Sequence, residues 1–188
     1  TGTFAGTASI SGVRLQTNGD YFLEVTGASS TNILLKNCYV AATNANGIHI
    51  TNGNAGVTLY NCQGACSTNA FFIMTAGSIN AYYCILAGTN TTTNNTVADA
   101  NLDLKYTYMS CPITTSGTGS IGLFKCELIC TNTAALTHGG SGSSIAMESR
   151  FESGTASAIS IGARLKAMHC SVLSSNANAI TGAGTLEY

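Results

Sequence analysis

Charge is what this chain has least of. Its 188 residues hold 7 Lys and Arg and 8 Asp and Glu, a net of -1 and 8% of the whole, where an ordinary soluble domain carries about 25%. A phosphate-binding face needs clustered Lys and Arg, so nucleic acid is not an expected partner, and the same shortage removes a polybasic membrane contact. Apolar runs are only a handful of residues long, far short of the ~20 that a spanning helix needs, so no membrane is expected either. Proline occurs once, at Pro112, and there is neither an initiator Met nor a signal-like n-region. A mature product or a piece of something longer is the expectation.

Gly, Ser, Thr, Asn and Ala stand where the charges would be. With 45% hydrophobic residues, near-zero charge is the opposite of the disordered signature, and a folded all-β chain rich in turns is expected. One domain, residues 1–188, suits this length.

NILLKNCYV, beginning at Asn32, returns in edited form throughout the chain. The rows are SISGVRLQT from Ser9, NILLKNCYV, GVTLYNCQG from Gly56, SINAYYCIL from Ser78, NLDLKYTYM from Asn101, SIGLFKCEL from Ser120, SIAMESRFE from Ser144 and RLKAMHCSV from Arg164. Their second residues lie 19 to 24 apart, and a further step reaches Leu186. A period in the low twenties is the mark of a solenoid. Within a row, Ile33 and Leu35 alternate with Leu34 and Lys36, which places the first pair on one face of a strand. Asn37 breaks the alternation, as suits a residue at positive φ, and Asn61 repeats it, whereas Tyr83, Tyr106, Lys125, Ser149 and His169 do not. Another short strand follows each polar loop: residues 20–25, 46–50, 70–74, 96–99, 135–138, 158–161 and 179–181. The expected fold is a right-handed parallel β-helix of about eight coils of 19–24 residues, three short strands each, in a rod near 40 Å long.

The pattern resembles the right-handed β-helices of the pectate-lyase-like superfamily, which includes phage tailspikes and other virion β-helices. Apolar-x-apolar-x-Asn-apolar, as in ILLKNC at 33–38, is a frequent corner signature there. One such scaffold carries many activities, so the resemblance implies the fold more than a function.

Cys38, Cys62, Cys84, Cys126 and Cys170 fall in one column of the repeat, with Leu15, Thr107 and Arg150 in the other rows. A column that accepts Leu or Cys reads as an inward site for a small hydrophobe. Cys66, Cys111 and Cys130 lie outside it, no paired CxxC occurs, and neither metal nor other cofactor is expected. Stacked cysteines make poor bridging geometry, so reduced thiols in a reducing assembly environment are expected. His49, His138 and His169 sit in different coils with no carboxylate partner in view, and His49 reads as a surface residue.

Enzymes that resemble this fold place carboxylates or bases on one outward strand ladder. The corresponding column reads Glu24, His49, a residue of the Phe71–Ile73 run, Ala98, Thr137, Ser160 and Thr181, with Asp99 about 14 Å from Glu24 at the strand spacing. Paired glycosidase carboxylates stand about 5 to 9.5 Å apart, so that pair cannot serve. Glu127 and Glu152, beside Arg150, read as an ion cluster, and GGSGSS at 139–144 as a turn. An ice-binding face would repeat Thr in register, whereas TNTTTNNT at 89–96 is a lone insertion. No enzyme is expected.

Outward positions are apolar instead: Leu34, Tyr39, Tyr60, Tyr82, Ile85, Tyr108, Phe124, Phe151 and Met168. A patch of that kind marks an interface. The expected function is a structural virion module, a bacteriophage fibre, spike or capsid decoration. The resemblance implies a homotrimer working beside other virion proteins, with a host surface glycan as a further partner. The alternative is a carbohydrate-binding or carbohydrate-cleaving β-helix. No amphipathic helix caps either end of the chain, from which a place within a longer assembly is expected.

Overall fold

A computed structural model describes residues 6–17, 21–27, 29–42, 46–66, 70–88, 95–175 and 177–188. Every regular element among them is a strand, and every strand pairing is parallel. Three sheets of nine, eight and eight strands form the walls, successive strands going to successive sheets, so the chain winds about seven turns from the first strand of a sheet to its eighth. The first sheet stacks Gly6–Ser11, Thr31–Lys36, Ala55–Tyr60, Ser78–Tyr82, Asn101–Lys105, Ser120–Phe124, Ser144–Met147, Arg164–Met168 and Thr185–Glu187. The second stacks Arg14–Thr17, Tyr39–Ala42, Gln63–Cys66, Ile85–Gly88, Tyr108–Met109, Glu127–Cys130, Arg150–Ser153 and Ser171–Ser174. The third stacks Tyr21–Val25, Asn46–Ile50, Phe72–Met74, Asn95–Val97, Ile113–Thr115, Leu136–His138, Ile159–Ile161 and Ile180–Thr181. Each successive triplet is one coil, and the fold is a parallel β-solenoid. The third strand of coil five, which follows Pro112, escapes the sequence pattern, and residues 89–94 of the threonine-rich insertion lie outside the described set.

Inward columns hold the coils together. In the first sheet Ile33, Val57, Ile79, Leu102 and Ile121 stack in one file, and Leu35, Leu59, Ala81, Leu104 and Leu123 in the next. Alternation along each strand sends one set of side chains to this file and the other to solvent. Between the first and second sheets the chain turns through a single residue at positive φ: Asn37, Asn61, Tyr83, Tyr106, Lys125, Glu148 and His169, all between 49 and 56°, with Gly12 at 69° in the first coil. This bend sets the register.

Two rows therefore shift from the expected alignment. In coil one Gly12 takes the bend, so Ile10 pairs with Leu35, and Leu15 with Val40 rather than with the cysteine column. In coil seven the bend is Glu148, not Ser149. The expected register would have put Arg150 in the interior without a partner charge, a far larger cost than exposing one isoleucine. Sliding by one residue buries Ser149 and Phe151 and leaves Ile145 39% exposed. Phe151 is thus a core residue and not part of any outer face.

Candidate functional site

Immediately after the bend, one inward column reads Cys38, Cys62, Cys84, Thr107, Cys126, Ser149 and Cys170. What unites these residues is a small side chain that can donate a hydrogen bond. Each points back at the carbonyl two residues earlier, which also accepts the bend amide of the coil before: Cys84 Sγ to Tyr82 O at 3.3 Å, Thr107 Oγ1 to Lys105 O at 3.0 Å, Ser149 Oγ to Met147 O at 2.8 Å and Cys170 Sγ to Met168 O at 3.3 Å. The hydroxyls also accept from the coil before, Cys84 N–H to Thr107 and Cys126 N–H to Ser149. The expected small hydrophobe is therefore a small donor. Thr107→Val, equal in shape, is expected to cost about 1–2 kcal/mol and Thr107→Ser less than half of that, read from urea midpoints. Equal costs would return the column to plain packing.

All eight cysteines are unbridged. Burial pushes Cys66 and Cys130 up to about 12 and Cys111 and Cys126 up to about 11. Cys62 and Cys84 share a hydrogen bond that raises Cys84, burial adding to the effect, and that leaves Cys62 the more acidic of the two. Among the described residues no group of three or more His, Cys, Asp and Glu could hold a metal ion.

The outside of the same bend is aromatic. Tyr83 and Tyr106 stack face to face at 4.9 Å, Tyr60 meets Tyr83 edge-on at 5.7 Å, and Phe124 meets Tyr106 edge-on at 5.5 Å. Lysines overlie this run, Lys36 on Tyr60, Lys105 on Tyr82, and Lys125 on Phe124 and Tyr106. A tyrosine in the left-handed region costs roughly 1–2 kcal/mol, and ring pairing offsets part of that. Tyr83 is nonetheless 52% exposed and Ile85, just past it, 50%. Of the residues expected at an interface, Tyr39, Tyr60 and Ile85 are exposed, and Leu34, Tyr82, Tyr108 and Phe124 half-buried. Tyr83 and Tyr106 join them, and Met168 is half-buried at the edge of the same face.

Two shallow depressions adjoin this corner and share Lys125 and Glu127. One of about 350 Å³ is lined by Tyr106, Thr107 and Tyr108, and one of about 320 Å³ by Glu148, Arg150 and His169. Their charges are mostly spent on each other, Lys125 pairing with Glu148 at 3.4 Å and Arg150 with Glu152. A third cavity, of about 340 Å³, lies between Ala8, Ile10, Phe22 and Val25 in coil one and is mainly apolar.

On the third sheet the outward column reads Glu24, His49, Ile73, Thr96, Thr114, Thr137, Ser160 and Thr181. Ala98 is not in it. His49 has a carboxylate partner after all, Glu24 at 3.3 Å in the coil before, and it stacks on Tyr21 at 4.4 Å. From coil four onward hydroxyls do stand in register, contrary to expectation, yet in single file: the next outward positions are Ala98, Ser116, Gly139 and Gly162. Asp99 is turned to the Thr118 amide and hydroxyl, which hold its carboxyl below the usual range.

Among the described residues no helix is long and apolar enough to cross a membrane. Comparison with protein families, with curated proteins and with solved structures finds no match for this chain. The strand register alone defines its class, a three-sheet parallel β-solenoid.

Proposed function

We propose that this solenoid is a structural module, a stiff rod that assembles with copies of itself, and that its place is a virion fibre, spike or capsid decoration, with bacteriophage as the source. The observation that carries the reading is the continuous ring run Tyr60–Tyr83–Tyr106–Phe124 across four successive coils, flanked by exposed Ile85. Tyrosines and an isoleucine so placed are what the buried centre of a subunit contact uses, and large exposed apolar patches are uncommon on monomers. Three copies about an axis parallel to the rod would cover this corner equally in each.

Light scattering at rising concentration tests this. The wild type is expected to weigh three chains, and Tyr83→Asn with Ile85→Ser to weigh one while keeping its β circular dichroism, since Asn suits the left-handed bend as it does at Asn37 and Asn61. A wild type that stays monomeric at high concentration overturns the reading.

A second reading, carbohydrate binding or cleavage, draws on the Tyr106–Tyr108 depression with Lys125 and Glu127 at its rim. Oligosaccharides that quench tyrosine fluorescence in a monomeric wild type would favour it over the scaffold.

A further inference from the structure

Inside the third sheet one inward column reads Val25, Ile50, Met74, Val97, Thr115, His138 and Ile161. His138 is fully buried there, between Thr115 and Ile161 in the column. Its Nε2 lies 3.0 Å from the Arg164 carbonyl, which can only accept, so Nε2 carries the proton. Nδ1 is then a bare acceptor. The Thr115 hydroxyl donates to it at 2.6 Å, and the Ser144 hydroxyl lies 3.4 Å away. Thr115 belongs to coil five, His138 to coil six, Ser144 to coil seven and Arg164 to coil eight. One imidazole thus joins four coils where the third sheet turns into the first.

We propose that His138 is an acid-sensitive staple: neutral, it ties coils five to eight together, and on protonation it releases them, so that the C-terminal coils open before the N-terminal ones. A proton on Nδ1 removes the acceptor that Thr115 uses. The new proton meets only hydroxyl oxygens that already accept an amide, Thr115 Oγ1 from Gly140 and Ser144 Oγ from Ile121, and Thr115 must turn its own proton elsewhere before it can receive it. Among the described residues no carboxylate faces the ring to balance a positive charge. The neighbouring third-sheet strands, Ile113–Thr115 and Ile159–Ile161, and the first-sheet strands Ser120–Phe124 and Ser144–Met147 carry no ionisable side chain. Arg164 and Lys166 on the next first-sheet strand are exposed and Arg164 pairs outside with Glu187, while the inward thiols of Cys126 and Cys130 on the second-sheet side stay neutral.

Burial accordingly lowers the His138 pKa below its ordinary value, with the Arg164 carbonyl opposing. A histidine lowered by folding leaves stability complete above the ordinary value near 6.5 and removes it as pH falls through that value.

Hydrogen exchange of the whole chain at pH 7.5 and pH 5 tests the staple. After correction for intrinsic rates, amides of coils six to eight are expected to exchange severalfold faster at pH 5, with coils two to four little changed. Thr115→Val with His138→Met, residues the column already uses at Val97 and Met74, should abolish that difference. Equal acceleration in the double variant would overturn the proposal. If the variant fails to fold, a wild-type NMR titration decides: His138 protonating at or above 6.5 overturns the staple, and staying neutral to lower pH sustains it.

Discussion

Gly64→Ala is expected to lower the unfolding free energy by about 3 kcal/mol, at the upper end of what a single added methyl costs in a packed core. Gly64 stands between Val40 and Leu86 in the inward column of the second sheet, where a larger residue would be expected. Its side chain is missing because the Phe71 ring fills the space: a Cβ built there would overlap two carbons of the ring. The ring cannot retreat. Phe71 is fully buried, packs edge-on against Phe72 at 4.9 Å, and its carbonyl occupies the place that a Cβ on Gly47 would need. Phe71→Ala alone should cost roughly 4 kcal/mol by opening a cavity. Gly64→Leu with Phe71→Ala gives the column the aliphatic residue its neighbours have and refills that cavity, so the pair should cost at least 1 kcal/mol less than Phe71→Ala by itself. Denaturant unfolding of the three variants measures this, and a pair that costs as much as Phe71→Ala by itself, or more, would mean that ring and glycine do not share the space.

How far such contacts could be read beforehand depended on strand length. The first sheet was legible because its strands run five or six residues in most coils and alternate, so that Ile33 and Leu35 announce an inward face and Asn37 its end. Third-sheet strands are mostly three residues long, with one outward position each. Alternation over three residues is too short to recognise, which hid the strand after Pro112, the register of Thr96 and Thr114, and the inward place of His138. Phe151 was misread for another reason: hydrophobicity favoured Ile145 inside, and only the cost of burying Arg150 reverses that choice. Thr107 and Ser149 in the cysteine column were the available signal that the column wants donors. Tyr83 and Tyr106 looked like breaks in an asparagine ladder, yet breaking it is what makes them the outermost rings of the corner.

Asn95→Leu is expected to cost about 2–4 kcal/mol although leucine suits every apolar rule of its column, where Ile113, Leu136 and Ile159 follow. Asn95 is fully buried. Its Oδ1 accepts the Phe72 amide at 2.6 Å and its Nδ2 donates to the Pro112 carbonyl at 2.9 Å, so one side chain carries hydrogen bonds both up and down the stack. Leucine leaves the Phe72 N–H without its acceptor in a dry interior, about 1–3 kcal/mol, and forfeits the bond to Pro112 as well. Asn95→Asp separates polarity from shape. As a carboxylate it keeps the acceptor but sets a charge against the Pro112 carbonyl, whereas protonated it can donate there as the amide does. Burial and that carbonyl would both raise its pKa, so the sign follows: its stability is complete below the unfolded pKa, about 3.9, and is lost as pH rises from there through the folded pKa. From pH 7 towards pH 5 this variant should therefore gain stability relative to the wild type, read as a narrowing gap between their denaturation midpoints. A gap that stays constant would show that the Pro112 carbonyl draws nothing from the side chain.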